Sequence, residues 1–178
     1  MRVLAVDLGL TGSGGLAVLE EGDPPAILYT EALPPRQSDS DFLRAVTAAI
    51  DAQSPDYLTC ERPWTSRNDP RRNVALAQSQ RLGLLRLAWE FQKKPKTRFK
   101  PIWAATAKNM LCGKATASKW ETQDKLKSIF GQTFTNEHVA DAVNLAFCRL
   151  QQLRAEAREK AWGRSKEKVC VDKRGKAR

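Results

Sequence analysis

The chain has 178 residues, of which 42% are hydrophobic and 28% are charged, and its formal net charge is +10. This length and composition fit one packed domain and exclude both a fully disordered chain and an enzyme of two large domains. The sequence has neither an apolar run of about 18 residues nor a signal-peptide pattern, so we expect a cytoplasmic protein without a membrane span. Its four cysteines form no Cys-x-x-Cys pair, which argues against a zinc site.

Positive and negative charges are separated along the chain. Residues 1–61 contain 3 basic and 10 acidic side chains, whereas residues 62–101 contain 11 basic and 2 acidic ones. Residues 149–178 are again basic, with 11 basic and 4 acidic side chains. Such asymmetry favours a polyanionic partner, most often a nucleic acid. A solvated basic tail is the alternative for residues 149–178, but in the middle segment the positive charges are interleaved with Trp64 and Trp89.

The first third of the chain predicts strands, one helix and a further strand. Residues 3–6 are a continuous apolar run, as in a strand that is buried on both faces. Residues 16–19 and 26–31 read as two more strands, with glycine and proline turns between them. N-cap candidates at residues 38–41 precede an apolar helical repeat, and residues 57–60 return as a strand.

The rest of the chain is mainly helical. Residues 73–92 predict a long helix with apolar side chains on more than one side, which is typical of a helix that also packs on a partner subunit. Residues 99–103 predict a short fifth strand and residues 104–111 a short helix. A capping-box pattern begins a helix over residues 118–131, and Asn136 caps the last helix. This order predicts a three-layer α/β/α domain with a five-stranded mixed sheet.

Acidic residues follow two of the predicted strands. Asp7 comes directly after the first strand and before a glycine turn, and Glu61 follows the strand before the long helix. Neighbouring strand ends converge on the crevice where open α/β sheets place their sites. His138 and Asp141 are three residues apart on the last helix, so both leave from one face. Three carboxylates and one imidazole suit Mg²⁺ or Mn²⁺ better than zinc, so we interpret the four residues as a metal site.

The same motifs resemble those of a known family, the RuvC Holliday-junction resolvases. Residues 3–9 resemble the opening of that family, residues 55–62 its second acidic motif and residues 138–142 its C-terminal motif. Residues 77–83 look like its central helix and residues 113–119 like its next basic segment. The likeness covers about residues 1–150 in matching order. The sequence departs from the family pattern at His138, a position where many members have Asp and some have His.

The resemblance implies a ribonuclease H-like fold, a homodimer and two-metal hydrolysis of a DNA phosphodiester. It implies that Asp7 bridges two Mg²⁺ ions, for which Mn²⁺ substitutes, and that Glu61 and Asp141 hold one ion each. His138 completes the shell. The two sites of a dimer would make paired symmetric nicks across a four-way DNA junction and leave 5′-phosphate ends. In a cell, branch-migration machinery would be a further partner.

Further residues receive roles in DNA binding or catalysis from the resemblance or from their charge. Lys119 aligns with a family lysine near the scissile phosphate. The alternative interpretation is that Lys119 is only an exposed lysine at the start of a helix. Trp64 matches the place of a family aromatic that meets an unpaired base at the junction centre, and a partly buried lid residue is its alternative. The phosphate and backbone contacts that we expect are Lys108, Lys114, Arg67, Arg71 and Arg72.

The sequence divides into a nuclease domain at residues 1–160 and a basic C-terminal tail at residues 161–178. Three other functions are compatible with parts of it. A phage-type RuvC-like nuclease with loose selectivity for branched DNA uses the same chemistry. An ATPase of the actin and sugar-kinase type also has an Asp-x-Gly phosphate loop, but it needs about twice this length. If the protein were a non-catalytic DNA-binding protein, the four residues that we interpret as metal ligands would have no role.

Overall fold

A computed structural model of the protein describes residues 1–9, 13–35, 37–63, 72–92 and 94–175, without the side chains of residues 72, 73 and 163–175. These ranges contain four strands and five α-helices, with one short 3-10 helix at Lys96–Arg98. The strands are β1 (Arg2–Asp7), β2 (Gly14–Glu20), β3 (Ala26–Leu33) and β4 (Tyr57–Cys60). The helices are α1 (Asp39–Gln53), α2 (Arg72–Phe91), α3 (Ala104–Cys112), α4 (Lys119–Phe130) and α5 (Glu137–Gly175).

The strands form one mixed sheet in the order β3-β2-β1-β4. β1 pairs antiparallel with β2, and β2 pairs antiparallel with β3. β1 pairs in parallel with β4, in a register that sets Val6 opposite Cys60. The ends of β1 and β4 therefore lie at the same edge of the sheet.

The predicted fifth strand at residues 99–103 is not a regular strand, and this part of the prediction was wrong. The segment does lie beside β4, but only through two isolated parallel bridges, Leu58 with Phe99 and Glu61 with Ile102. The Phe99 N–H donates back to the 3-10 helix, and the Lys100 carbonyl accepts from the Thr59 hydroxyl at 2.8 Å. Because these groups bond elsewhere, the ladder along β4 stays incomplete.

Helix ends follow the signals in the sequence. Ser38 accepts a hydrogen bond from the third residue of its helix and caps α1. Ser118 and Glu121 form a complete capping box at the start of α4. Gly113 and Gly131 end α3 and α4 with φ angles of 75° and 69°. That left-handed conformation is one that glycine adopts without strain. The start of α1, the end of α3 and both ends of α4 therefore lie where the local sequence favours them.

Alternate residues of β1 supply the two sides of the hydrophobic core. Val3 and Ala5 pack on one face of the sheet with residues of α3, α4 and α5. Leu4 and Val6 pack on the other face with residues of α1 and α2. Because both faces are covered by helices, the strand reads as a continuous apolar run rather than an alternating one. The three-layer α/β/α arrangement is as predicted.

The backbone of α5 continues without a break through the predicted tail boundary at residue 160 and ends at Gly175. The division into a domain at residues 1–160 and a tail at residues 161–178 stays a prediction. None of the described helices is apolar over a length sufficient to cross a membrane.

Gly15 allows β2 and the start of α5 to approach closely. A Cβ atom at this position would lie 2.3 Å from the backbone carbonyl oxygen of His138. We expect Gly15→Ala to lower the free energy of unfolding by about 1–3 kcal/mol, because backbone must move to admit the methyl group. Gly83→Ala is the matched control, since a Cβ there meets nothing within 4 Å, and it should raise stability by up to about 1 kcal/mol. Thermal unfolding of both variants measures this, and equal melting temperatures would contradict the expectation.

Candidate active site

A cavity of about 430 Å³ lies at the sheet edge where β1 and β4 end. Asp7 is the last residue of β1, and Glu61 comes directly after β4. α5 contributes its second and fifth residues, His138 and Asp141, from one helix face. All four residues that the sequence singled out as metal ligands line this cavity.

Asp7 is buried and its carboxylate is held by two hydrogen bonds. The Gly9 N–H donates to one Asp7 oxygen at 3.3 Å, and the other oxygen lies 2.7 Å from Nδ1 of His138. Gly9 has a φ of 59°, and a Cβ atom there would collide with the backbone carbonyl of Ser13. The glycine turn after Asp7 is therefore a steric requirement of the site.

The imidazole of His138 is fixed at both nitrogens. Nδ1 contacts the Asp7 carboxylate, and Nε2 lies 2.9 Å from the Ser13 hydroxyl. The backbone is fixed as well, because the Asn136 side chain accepts hydrogen bonds from the N–H groups of His138 and Val139. The hydrogen bond to Asp7 raises the pKa of His138, although burial acts in the opposite direction. His138 consequently keeps its proton to a higher pH than an ordinary histidine.

The other two carboxyl groups are harder to ionise than usual. Burial, followed by the charges of Asp7 and Asp141, raises the pKa of Glu61 to about 7. Burial, followed by the charge of Asp7, raises the pKa of Asp141 to about 6. Lys108 lowers both values. The cations of the protein therefore only partly offset the crowded negative charge, which is the electrostatic setting that a bound cation stabilises.

The donor set fits a hard divalent cation by its chemistry, since it consists of three carboxylates and one imidazole. In the part of the chain that the structure describes, no three acidic, histidine or cysteine side chains converge closely enough to hold an ion without moving. The hydrogen bond between Asp7 and His138 occupies one carboxylate oxygen and one ring nitrogen. An ion that binds through these two atoms would have to replace this hydrogen bond.

Of the basic residues predicted to contact DNA, Lys108 and Lys119 line the cavity. Lys119 forms an exposed ion pair with Glu137, and its hydrogen bond to that carboxylate raises the pKa of Lys119. Lys114 is not among the cavity-lining residues and instead pairs with Glu121 of the capping box. Arg72 begins α2. Trp64, Arg67 and Arg71 lie outside the described residues.

Two buried side chains of α2 hold the loop after Asp7, and sequence reasoning missed both. Arg81 donates to the Leu8 carbonyl at 3.2 Å, and Gln78 donates to the Gly9 carbonyl at 3.4 Å. Their polar side chains stand on the helix face that packs inward, which is a signal visible in the sequence once the helix phase is known. α2 thereby supports the backbone that presents Asp7.

Glu137 and Asn144 also line the cavity and were not predicted. Glu137 directly precedes His138, and Asn144 lies three residues after Asp141 on the same face of α5. The side-chain amide oxygen of Asn144 is buried and has no hydrogen-bond partner among the described residues.

The fold is that of RuvC from Thermus thermophilus. A solved structure of that protein matches with a TM-score of 0.69 and 21% identity, over 88% of this chain and 97% of the other. Thermus thermophilus RuvC in complex with Holliday junction substrate matches with a TM-score of 0.70 and 22% identity, over 83% and 92% of the two chains. No family model and no curated protein matches the sequence. The similarity confirms the predicted fold class, apart from the irregular fifth strand.

His138 is the single histidine of the chain, so its titration can be followed alone. We expect Asp7→Asn to shift its NMR titration midpoint to lower pH, because the hydrogen bond to Asp7 is the largest contribution that raises the pKa. Asp141→Asn is the control and should shift the midpoint less, since Asp141 makes the smallest contribution. The measurement is made on ¹⁵N-histidine-labelled protein with EDTA present. An unchanged midpoint in Asp7→Asn would contradict the assigned contact.

Proposed function

We propose that this protein is a divalent-metal-dependent endonuclease that resolves four-way DNA junctions. The observation that carries the proposal is that Asp7, Glu61, His138 and Asp141 line one cavity on a RuvC fold. The protein acts as a homodimer that makes paired symmetric nicks and leaves 5′-phosphate ends. Its DNA contacts come from the beginning of the basic segment that follows Glu61 and from the basic C-terminus.

Asp7, Glu61, Asp141 and His138 are the residues that would hold two Mg²⁺ ions, with Mn²⁺ as a substitute. When bound, such ions lower the pKa of an attacking water and stabilise the leaving 3′ oxygen. Asp7 would be the central ligand of this set, because its charge acts on both other carboxyl groups and raises their pKa values. Ionised Glu61 is needed for binding, so the affinity for Mg²⁺ should fall as the pH drops below about 7.

Lys119 is the proposed stabiliser of the charge that develops on the scissile phosphate. Its ammonium group is held near the cavity by Glu137. An exposed ion pair of this kind contributes little to stability, so a phosphate can displace Glu137 from Lys119. Lys108 is the second lysine that lines the cavity, and we assign it to a neighbouring phosphate.

The remaining DNA contacts extend outward from the cavity. Trp64 is proposed to stack on an unpaired base at the junction centre, an interaction worth about 1–3 kcal/mol. The tail at residues 161–178 is proposed to contact the DNA arms. Backbone contacts are assigned to Lys114, Arg67, Arg71 and Arg72.

An exposed apolar stripe on α2 supports the homodimer. Leu76, Leu87 and Phe91 are 60%, 53% and 85% exposed. Leu76 and Leu87 are 11 positions apart, and Leu87 and Phe91 are 4 positions apart. Both spacings place side chains on the same side of an α-helix, so the three residues form one stripe along α2. A second copy of the same stripe would remove these side chains from water through a two-fold interface.

We expect Leu87→Glu to convert the dimer into a monomer at micromolar concentration, because it places charge in the proposed apolar interface. The molecular mass in solution, from light scattering after gel filtration, measures this. Leu28→Glu is the control, since Leu28 is also an exposed leucine but belongs to β3 and not to α2. A dimer that survives Leu87→Glu would exclude this interface.

We expect Asp7→Asn to abolish Mg²⁺-dependent cleavage, by about 10³-fold or more, and to leave junction binding in place. The assay uses a synthetic four-way junction with Mg²⁺ or Mn²⁺, and maps the nicks on all four strands. Asp124→Asn, an exposed change on α4, is the control and should cleave normally. Cleavage retained by Asp7→Asn would exclude the proposed site.

The same assay on Y-forks and plain duplex distinguishes the alternatives. Symmetric nicks on the junction alone support a resolvase. Cleavage of all branched substrates at similar rates indicates the loosely selective nuclease. Binding to the junction without any Mg²⁺- or Mn²⁺-dependent cleavage indicates the non-catalytic DNA-binding protein.

A further inference from the structure

A stacked arginine and tryptophan lie beside the candidate active site. Arg62 follows Glu61, and Trp103 precedes Ala104, and both Glu61 and Ala104 line the cavity. The parallel bridge between Glu61 and Ile102 sets Arg62 next to Trp103, and the Arg62 N–H donates to the Ile102 carbonyl at 2.7 Å. The guanidinium of Arg62 lies over the indole of Trp103, 4.5 Å from the ring centroid.

This stacking leaves the charge of Arg62 available. Arg62 is exposed and Trp103 is 38% exposed, so the pair faces solvent. A guanidinium that stacks on an aromatic ring is fixed in its plane but keeps the N–H groups along its edge. In the described part of the chain no carboxylate lies within ion-pair distance of Arg62, whereas Lys119 is paired with Glu137. Arg62 is thus an oriented cation at the rim of the cavity.

We propose that Arg62 binds a backbone phosphate of the DNA strand that enters the active site, and that Trp103 orients Arg62 for this contact. The inference rests on the proposed function, because it requires a nucleic-acid substrate. Asp7, Glu61 and Asp141 repel an approaching strand, and a cation at the rim offsets that repulsion. A planar guanidinium can bind two oxygens of one phosphate through parallel hydrogen bonds. The contact of an oriented Arg62 is therefore selective for the geometry of a phosphate as well as for its charge.

The test measures binding of a fluorescent synthetic four-way junction at several salt concentrations, with Ca²⁺ in place of Mg²⁺. We expect Arg62→Gln to weaken binding about tenfold. It should also reduce the slope of log affinity against log salt by about one, because one phosphate contact is lost. Trp103→Ala should weaken binding about threefold and leave the slope unchanged, since the positive charge remains. The double variant should bind as Arg62→Gln does, because Trp103 acts through Arg62.

Arg98→Gln provides the matched control. Arg98 also stacks on an aromatic ring, with its guanidinium 5.5 Å from the centroid of Tyr57. Tyr57 is the first residue of β4, so this pair lies at the opposite end of the strand from Glu61. Arg98→Gln should lose a stacked arginine without any change in junction affinity or salt slope. Thermal unfolding of each variant separates loss of binding from loss of structure.

Three results would overturn the proposal. Unchanged affinity and salt slope in Arg62→Gln, while the unaltered protein binds and cuts the junction, would overturn this inference and leave the proposed function standing. Losses that multiply in the double variant would show that Trp103 contacts DNA independently of Arg62. Absence of both binding and cleavage in the unaltered protein would overturn the proposed function and this inference together.

Discussion

Parallel hydrogen bonding between β1 and β4 brings the ends of two strands that are distant in sequence to one edge of the sheet. The pairing of Val6 with Cys60 means that Asp7 and Glu61, the next residues, lie side by side. α5 packs across β1 and β2 and adds His138 and Asp141 to the same edge. Gly15 makes this approach possible, because any side chain there would meet the α5 backbone. The candidate site depends on this one strand pairing and on the helix packed against it.

Bringing these ionisable side chains close together makes the stability of the fold fall as the pH rises. The pKa of Glu61 and of Asp141 is raised, so the folded protein holds their protons more tightly than the unfolded chain does. Unfolding therefore becomes more favourable as the pH rises from about 4 through about 7 and both groups ionise. The raised pKa of His138 acts in the same direction, because its stabilising charge is lost as the pH rises. A function that needs ionised ligands thus opposes the stability of the site that holds them.

Local signals in the sequence were sufficient for much of the fold. Capping residues such as Ser118 and the apolar run before Asp7 act over a few neighbours, so the elements that they define could be predicted. The four metal-ligand candidates could be placed together because strand ends and helix spacing follow general geometry. The fifth strand could not be judged from the sequence, because its irregularity involves hydrogen bonds that only the packed structure sets. One of them joins the Thr59 side chain to a carbonyl 41 residues away.

Contacts between side chains that are distant in sequence could not be read from pattern. The hydrogen bond between Asp7 and His138 needs the rotamers of both residues, which depend on the packed site. Arg81 can be assigned to the inward face of α2 only once the phase of that helix is known, and the structure shows its side chain buried against the ring of Phe42. The stacking of Arg62 on Trp103 likewise depends on the register of two bridged segments.

The support of the Asp7 loop by α2 has a consequence for how the protein can change in evolution. Gln78 and Arg81 bond to the backbone carbonyls of Gly9 and Leu8, about 70 residues earlier in the chain. A carbonyl is present whatever residue occupies positions 8 and 9, so the hydrogen bonds themselves restrict only positions 78 and 81. The need to position Asp7 therefore limits which substitutions the middle of α2 can accept, although these hydrogen bonds do not reach Asp7 itself. Homologues that keep Asp7 should preserve side chains able to donate at both helix positions.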